Sequence, residues 1–78
     1  MEIKENIKKF IQRFVSGKNF TDDTNIIENK LVNSLFAMQL VAFIENEYDI
    51  TLENSDIVID NFKSVNAITH LIESKLSQ

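Results

Sequence analysis

The sequence predicts an all-α protein, a small four-helix bundle with three longer helices and one short helix. Apolar residues recur every three or four positions in three separate stretches, as they do along the buried side of a helix. The chain contains no proline, and no stretch alternates apolar and polar residues as a strand does. Its length of 78 residues suits one domain, so we expect residues 1–78 to form a single unit.

The first helix is predicted from an apolar stripe near the N-terminus. Lysines occupy the other side of this stretch, which is the amphipathic pattern of a surface helix. Gly17, the only glycine in the chain, is expected to end the helix as its C-cap. The members of the stripe are Ile3, Ile7, Phe10, Ile11 and Phe14.

Residues 18–33 are rich in Asn, Asp and Thr and are expected to form a long loop. Long loops inside a compact domain are uncommon and tend to be functional. Four apolar residues are expected to attach this loop to the core: Ile26, Ile27, Leu31 and Val32.

A second helix is predicted over residues 34–48. Its core side is formed by Leu40, Val41, Ile44 and Tyr48. Phe36 and Phe43 lie on the flank and are expected to pack. The side away from the core carries an apolar patch with Glu45 beside it, and an exposed apolar patch is typical of a partner-binding surface. The patch consists of Leu35, Met38 and Ala42.

The last third of the chain is predicted to hold a connector, a short helix and a longer helix. Ile50 and Leu52 of the connector are expected to turn inward. Residues 54–56 are expected to cap the short helix, which is predicted to run through residues 57–59. Ser64 is expected to cap the last helix, whose apolar stripe is Val65, Ile68, Leu71, Ile72 and Leu76.

The charge distribution is asymmetric. Residues 1–18 carry an excess of three positive charges, whereas residues 31–62 contain six acids and no lysine or arginine. A nucleic-acid-binding protein needs a basic surface, so we expect no nucleic-acid partner. No apolar run reaches membrane-spanning length and no signal peptide is visible, so a soluble cytoplasmic protein is expected.

No set of residues in the chain suits catalysis or metal binding. There is no cysteine, and the lone histidine, His70, has no second histidine, cysteine or suitably placed acid as a companion. Asp22 and Asp23 are interpreted as solvated loop acids rather than a cation site. We therefore expect no enzymatic activity and no bound metal. Ser34 offers a hydroxyl at the start of the second helix, where either Ser34 or its neighbour Asn33 can act as the N-cap.

The ordered motifs from Ile26 to Ile68 resemble the acyl carrier and peptidyl carrier protein family. In that family a serine at the start of the second helix follows an acid and precedes a leucine, and the triplet here is Asn33-Ser34-Leu35. Residues 27–32, 43–50 and 60–68 resemble the loop before this motif, the end of the second helix and the entry to the last helix. Two residues depart from the pattern, since Asn33 replaces the usual aspartate and Lys30 stands where a glycine is common.

The resemblance implies a bundle of the acyl carrier protein type with a covalent 4′-phosphopantetheine on Ser34. A phosphopantetheinyl transferase would attach this group from coenzyme A with Mg²⁺, and acyl or aminoacyl intermediates would travel on its thiol as thioesters. The implied partners are acyl-loading enzymes, acyltransferases or ketosynthases with basic docking patches, and the carrier is expected to be a monomer. The expected docking residues are Asn33, Leu35, Met38, Ala42, Glu45 and Glu47.

Residues 32–41 also resemble stand-alone carriers that supply unusual malonyl-type units to polyketide and hybrid nonribosomal peptide assembly lines. The alternative is a small acidic helical interaction or regulatory module without a prosthetic group. Such a module would explain the acidic surface and the exposed apolar patch, but not the position of Ser34 within the ordered pattern.

Overall fold

A computed structural model describes residues 2–15 and 19–77 of the protein. These residues contain four α-helices. They are α1 (Ile3–Phe14), α2 (Ser34–Tyr48), α3 (Ile59–Phe62) and α4 (Val65–Leu76), and a 3₁₀ turn covers Asn54–Asp56. No strand occurs within these ranges, so the predicted all-helical fold of three longer helices and one short helix is confirmed. The predicted cap at Gly17 lies outside the described residues. None of the described helices is long and apolar enough to span a bilayer.

The core is built from the predicted apolar stripes, and α4 contacts each of the other three helices. The stripe of α1 buries Ile3, Ile7 and Ile11. The stripe of α4 buries Val65, Ile68, Leu71 and Ile72. Leu76 was predicted to belong to this stripe but is 38% exposed, because α4 ends at this residue. Ser64 caps α4 as predicted, since its hydroxyl accepts the amide N–H of Ala67 at 3.1 Å.

Aromatic rings join α1 to α2. The Phe10 ring stacks on that of Phe43 at 4.8 Å between centroids, and the Phe14 ring meets Phe36 edge-on at the same distance. Such pairs add about 0.5–1.5 kcal/mol beyond the area that they bury. The predicted packing of Phe36 and Phe43 is therefore confirmed, and it determines which side of α2 faces the core.

The long loop, described from residue 19, is tied to both ends of the chain. The amide of Ile26 donates to the carbonyl of Lys63 at 2.8 Å, and the amide of Asn66 donates to the carbonyl of Asp22 at 3.0 Å. The Asp22 carboxylate also lies 3.2 Å from the Lys8 ammonium. Asp22 was interpreted as a solvated loop acid, but its side chain is only 32% exposed and its carboxylate pairs with lysines of α1, so it is partly shielded from solvent. Ile26 is fully buried and Ile27, Leu31 and Val32 pack against the core, as predicted.

Residues 25–31 form a single capped turn within this loop. The Asn25 side chain accepts the amide of Glu28 at 2.8 Å and starts the turn. The turn closes with two bonds of 3.0 Å, from the amide of Lys30 to the carbonyl of Ile27 and from the amide of Leu31 to the carbonyl of Ile26. This pattern is the Schellman motif that ends helices, and it places the residue before its last in the left-handed region. Lys30 occupies that position with φ of 59°.

Replacing Lys30 by glycine is expected to stabilise the fold by about 0.5–1 kcal/mol. The left-handed conformation costs a residue with a Cβ roughly 1–2 kcal/mol, and the greater chain entropy of unfolded glycine offsets about 0.5–1 kcal/mol of the gain. Urea denaturation of the two proteins measures the difference. Lys30→Ala is the matched control, because it removes the same charge but keeps the Cβ. Equal stability of the glycine and alanine variants would contradict the assigned backbone conformation.

The connector after α2 is held by one of the acids predicted for docking. Asp49 ends α2 in the left-handed region with φ of 54°. The Glu45 carboxylate then accepts the amide of Leu52 at 2.8 Å, which helps to turn the buried Leu52 inward as predicted. Glu45 is half-buried and one of its oxygens is already used within the fold.

The short helix lies later in the chain than predicted. Residues 54–56 form only a 3₁₀ turn, Ile57 and Val58 are not helical, and α3 begins at Ile59. The turn closes on itself because Asp56 accepts the amide of Glu53 at 2.9 Å, while the Asp56 carbonyl accepts the side-chain amide of Asn61 at 2.9 Å. Two consecutive β-branched residues then favour extended backbone.

An ion pair connects this 3₁₀ turn to the last turn of α4. The Lys75 ammonium lies 2.6 Å from the Asp56 carboxylate and 4.0 Å from that of Glu53. The hydrogen bond from Lys75, together with that from the Glu53 amide, lowers the pKa of Asp56 below its ordinary value. The same bond to Asp56 raises the pKa of Lys75. Both groups are therefore charged over the neutral pH range.

Candidate functional site

The structure of the start of α2 shows which of Asn33 and Ser34 caps the helix. The Asn33 side chain accepts the amide N–H of Phe36 at 3.0 Å, so Asn33 is the N-cap. Ser34 is the first residue of α2 and is exposed. Within residues 2–15 and 19–77 its hydroxyl makes no hydrogen bond. The Ser34 oxygen is therefore accessible and is not required to cap the helix.

The first turn of α2 contains no acidic side chain, and its N-cap is neutral. The backbone N–H groups at a helix start create a positive potential that favours a negative group. A phosphodiester on Ser34 would therefore meet no carboxylate within this turn. Asn33 thus caps the helix, and Ser34 exposes a hydroxyl.

An apolar cavity of about 280 Å³ opens beside Ser34. Its walls come from the capped turn, from α2 and from the end of α3. The lining residues are Ile27, Val32, Asn33, Ser34, Phe36, Ala37 and Phe62. None of these side chains is an acid, a base or a thiol, so this cavity offers no group that could take a proton from the Ser34 hydroxyl.

The apolar patch predicted on α2 is exposed. Met38 is 72% exposed, Leu35 is 58% exposed and Ala42 is also on the surface. Sequence reasoning missed a second exposed apolar group, because residues 57–59 were assigned to a helix. Ile57, Val58 and Ile59 are each more than 40% exposed. A run of three β-branched residues between two aspartates, Asp56 and Asp60, was the signal for this group.

The two acids predicted for docking lie in different environments. Glu47 is exposed and lines a groove between α1 and α2, together with Lys9, Arg13 and Phe43. Glu45 is half-buried and bonded to the connector. Glu47 is therefore exposed and makes no ion pair with the described residues, whereas Glu45 has a structural contact.

The other titratable candidates do not form a metal or catalytic cluster. His70 is exposed on α4, and Asp23 accepts a hydrogen bond from the Asn66 side chain. No group of three or more potential metal ligands occurs among the residues that the structure describes. Ser34, with its apolar cavity and the exposed patch, is the candidate site that remains.

Comparison with known proteins does not assign the chain to a family. The chain matches no protein-family model, and a search of curated proteins finds no similar sequence. A functional proposal therefore depends on the residues around Ser34 and on their contacts.

Proposed function

We propose that this protein is a carrier that receives 4′-phosphopantetheine on the Ser34 oxygen. The observation that carries the proposal lies at the start of α2, where Asn33 caps the helix and Ser34 presents an exposed hydroxyl that makes no hydrogen bond to residues 2–15 or 19–77. A serine that serves only as a cap would have its oxygen bonded to the backbone. The ordered motifs that resemble carrier proteins place the modified serine at this same position.

The residues around Ser34 fit a phosphodiester-linked group. The helix start favours the negative charge, and no carboxylate lies in the first turn of α2. When attached, the group supplies a thiol that can hold acyl or aminoacyl cargo, which a chain without cysteine lacks. In the transfer, the Ser34 oxygen would form a bond to the phosphorus next to pantetheine in coenzyme A, and the pyrophosphate bond would break to release adenosine 3′,5′-bisphosphate. Because the cavity beside Ser34 offers no base, we assign acceptance of the hydroxyl proton to the transferase or its bound water.

Lys30 gives the resemblance independent support. Its φ of 59° belongs to the conformation that glycine adopts most easily, and carrier proteins commonly have a glycine there. The capped turn of residues 25–31 is therefore consistent with the shape implied by the resemblance, although its sequence departs from the usual pattern.

The proposed docking surface joins the apolar patch on α2 to its acids. Leu35, Met38 and Ala42 supply apolar contact, and Glu47 supplies charge for a basic partner. Asn33 lies at the edge of this surface, and Glu45 contributes its second oxygen. The proposed partners are a phosphopantetheinyl transferase and acyl-transferring enzymes of polyketide or hybrid peptide biosynthesis, where the run of residues 32–41 favours malonyl-type cargo.

Intact mass after co-expression with a broad-specificity phosphopantetheinyl transferase tests the proposal. We expect a gain of one phosphopantetheine, located at Ser34. A protein that gains no mass with several transferases, or gains it elsewhere, is not this carrier. The exposed apolar residues would then favour an interaction module without a prosthetic group.

Reversing the charge of Glu47 is expected to slow modification of Ser34 by about fivefold at low salt, which corresponds to about 1 kcal/mol for an exposed charge pair. The effect should shrink as salt screens the attraction to a basic transferase. The measurement is kcat/KM of the transferase at several salt concentrations. Glu73→Lys is the matched control, because Glu73 is an exposed acid on α4.

Glu47 is preferred to Glu45 for this test, since reversal of the charge at Glu45 would also remove the hydrogen bond to the Leu52 amide. Equal loss at every salt concentration would contradict electrostatic docking.

A further inference from the structure

The exposed segment of residues 57–59 forms an outer wall of the surface beside Ser34. Ile57 lies across from Ala37, Met38 and Val41 of α2, with which it lines one shallow cavity. A second cavity adds Val58 and Ile59 to this wall. This second cavity shares Ile27, Ala37 and Phe62 with the cavity at Ser34. The apolar surface that starts at Ser34 therefore continues to the 57–59 segment.

Local backbone bonds, rather than buried side chains, hold the segment. The amide of Ile57 donates to the carbonyl of Asn54 at 3.2 Å, and the carbonyl of Val58 accepts the amide of Asn61 at 3.0 Å. Ile57 and Val58 lie between the 3₁₀ turn and α3, and the side chains of residues 57–59 are 43–65% exposed. The entry to the segment is also fixed at Asp56. The carboxylate of Asp56 binds the Glu53 amide and Lys75, and its carbonyl binds the side chain of Asn61.

Lys75 is the long-range member of this set of contacts. Its side chain is only 12% exposed and belongs to α4, the helix that contacts the other three. Without the ammonium, the carboxylates of Asp56 and Glu53 would lie close together without a balancing charge. Their repulsion would favour opening of the 3₁₀ turn and release of the segment that follows it.

We propose that Lys75 is a positioning residue for the Ser34 site. From α4 it holds the 3₁₀ turn, and thereby sets the position of residues 57–59 against α2, where partner enzymes dock. This inference rests on the proposed carrier function and extends it, because it assigns part of the docking surface to residues 57–59. It also assigns control of that surface to a lysine outside it.

The test compares three variants in hydrogen exchange and in modification of Ser34 by a phosphopantetheinyl transferase with coenzyme A. Lys75→Met is expected to speed exchange of the Ile57 and Asn61 amides, which are bonded to the carbonyls of Asn54 and Val58, and to lower kcat/KM roughly fivefold, mainly through KM. Lys75→Arg keeps the cation and should retain both properties. Lys63→Met is the matched control, because Lys63 is exposed and makes no side-chain ion pair with the described residues.

Amides of α1 serve as the internal reference for global stability. If they also exchange faster in Lys75→Met, the change is global, and Asp56→Asn replaces it as the test variant. That variant keeps an acceptor for the Glu53 amide while removing the charge that binds Lys75. In either variant, unchanged exchange of the Ile57 and Asn61 amides overturns the proposal, as does faster exchange with an unchanged modification rate. If the wild-type protein gains no phosphopantetheine, the carrier function is overturned instead. The hydrogen-exchange measurement then still decides whether Lys75 holds the segment of residues 57–59.

Discussion

Replacing Ser34 by alanine is expected to abolish attachment of phosphopantetheine while leaving the fold intact. The attachment requires an oxygen at this position, and no other side chain at the start of α2 offers a hydroxyl. Because the Ser34 hydroxyl makes no hydrogen bond within the described residues, stability should change by less than about 0.5 kcal/mol. Intact mass measures the modification, and urea denaturation measures the stability.

Ser55→Ala is the matched control for this result. Ser55 is also an exposed serine in a helical turn, but it lies in the 3₁₀ turn after α2. The Ser55 variant should gain the same mass as the wild type. Mass gain by Ser34→Ala would show that another residue is modified. A large loss of stability in the same variant would instead favour a structural role for the hydroxyl.

Replacing Phe36 by alanine is expected to cost about 3–5 kcal/mol and to leave the protein largely unfolded. Phe36 is 2% exposed, packs against Phe10 and Phe14 of α1, and forms a wall of the Ser34 cavity. A domain of this size typically gains only about 3–5 kcal/mol from its core, so the loss is comparable to its whole stability. Urea denaturation followed by circular dichroism measures the change.

Met38→Ala is the control on the same helix. Met38 is 72% exposed, so its truncation should change the stability by less than about 0.5 kcal/mol. If Phe36→Ala were as stable as Met38→Ala, the assigned burial of α2 would be wrong. The same comparison separates the two sides of α2, because Met38 belongs to the proposed docking surface and Phe36 to the core.

The proposed site combines a rigid base with an exposed surface. On the core side, the first turn of α2 is held by the contact between the rings of Phe36 and Phe14 and by the cap at Asn33. The hydroxyl of Ser34 and the side chain of Met38 remain on the outside. A carrier needs this combination, because each partner must reach the modified serine and then release the carrier again.

Local patterns in the chain were sufficient to predict the helices that matter for the site. The bounds of α2, the core-facing stripe of α1, the stripe of α4 except for Leu76, the cap at Ser64 and the exposure of Met38 were all predicted and are confirmed. These features depend on the spacing of apolar residues within a few turns, or on a cap next to its helix, and that information lies within short stretches of sequence.

Two kinds of feature were not predicted from the sequence. Local patterns left the cap of α2 open between Asn33 and Ser34, because either side chain can accept an amide of the first turn, and the structure assigns the cap to Asn33. The pairing of Asp22 with α1 and of Asp56 with Lys75 joins residues far apart in sequence. Such pairs depend on how the helices pack, which no short stretch encodes. By itself, the sequence determined the three longer helices and the hydroxyl at the start of α2. The tertiary structure decided the long-range ion pairs and the position of the short helix, because these depend on how the helices pack.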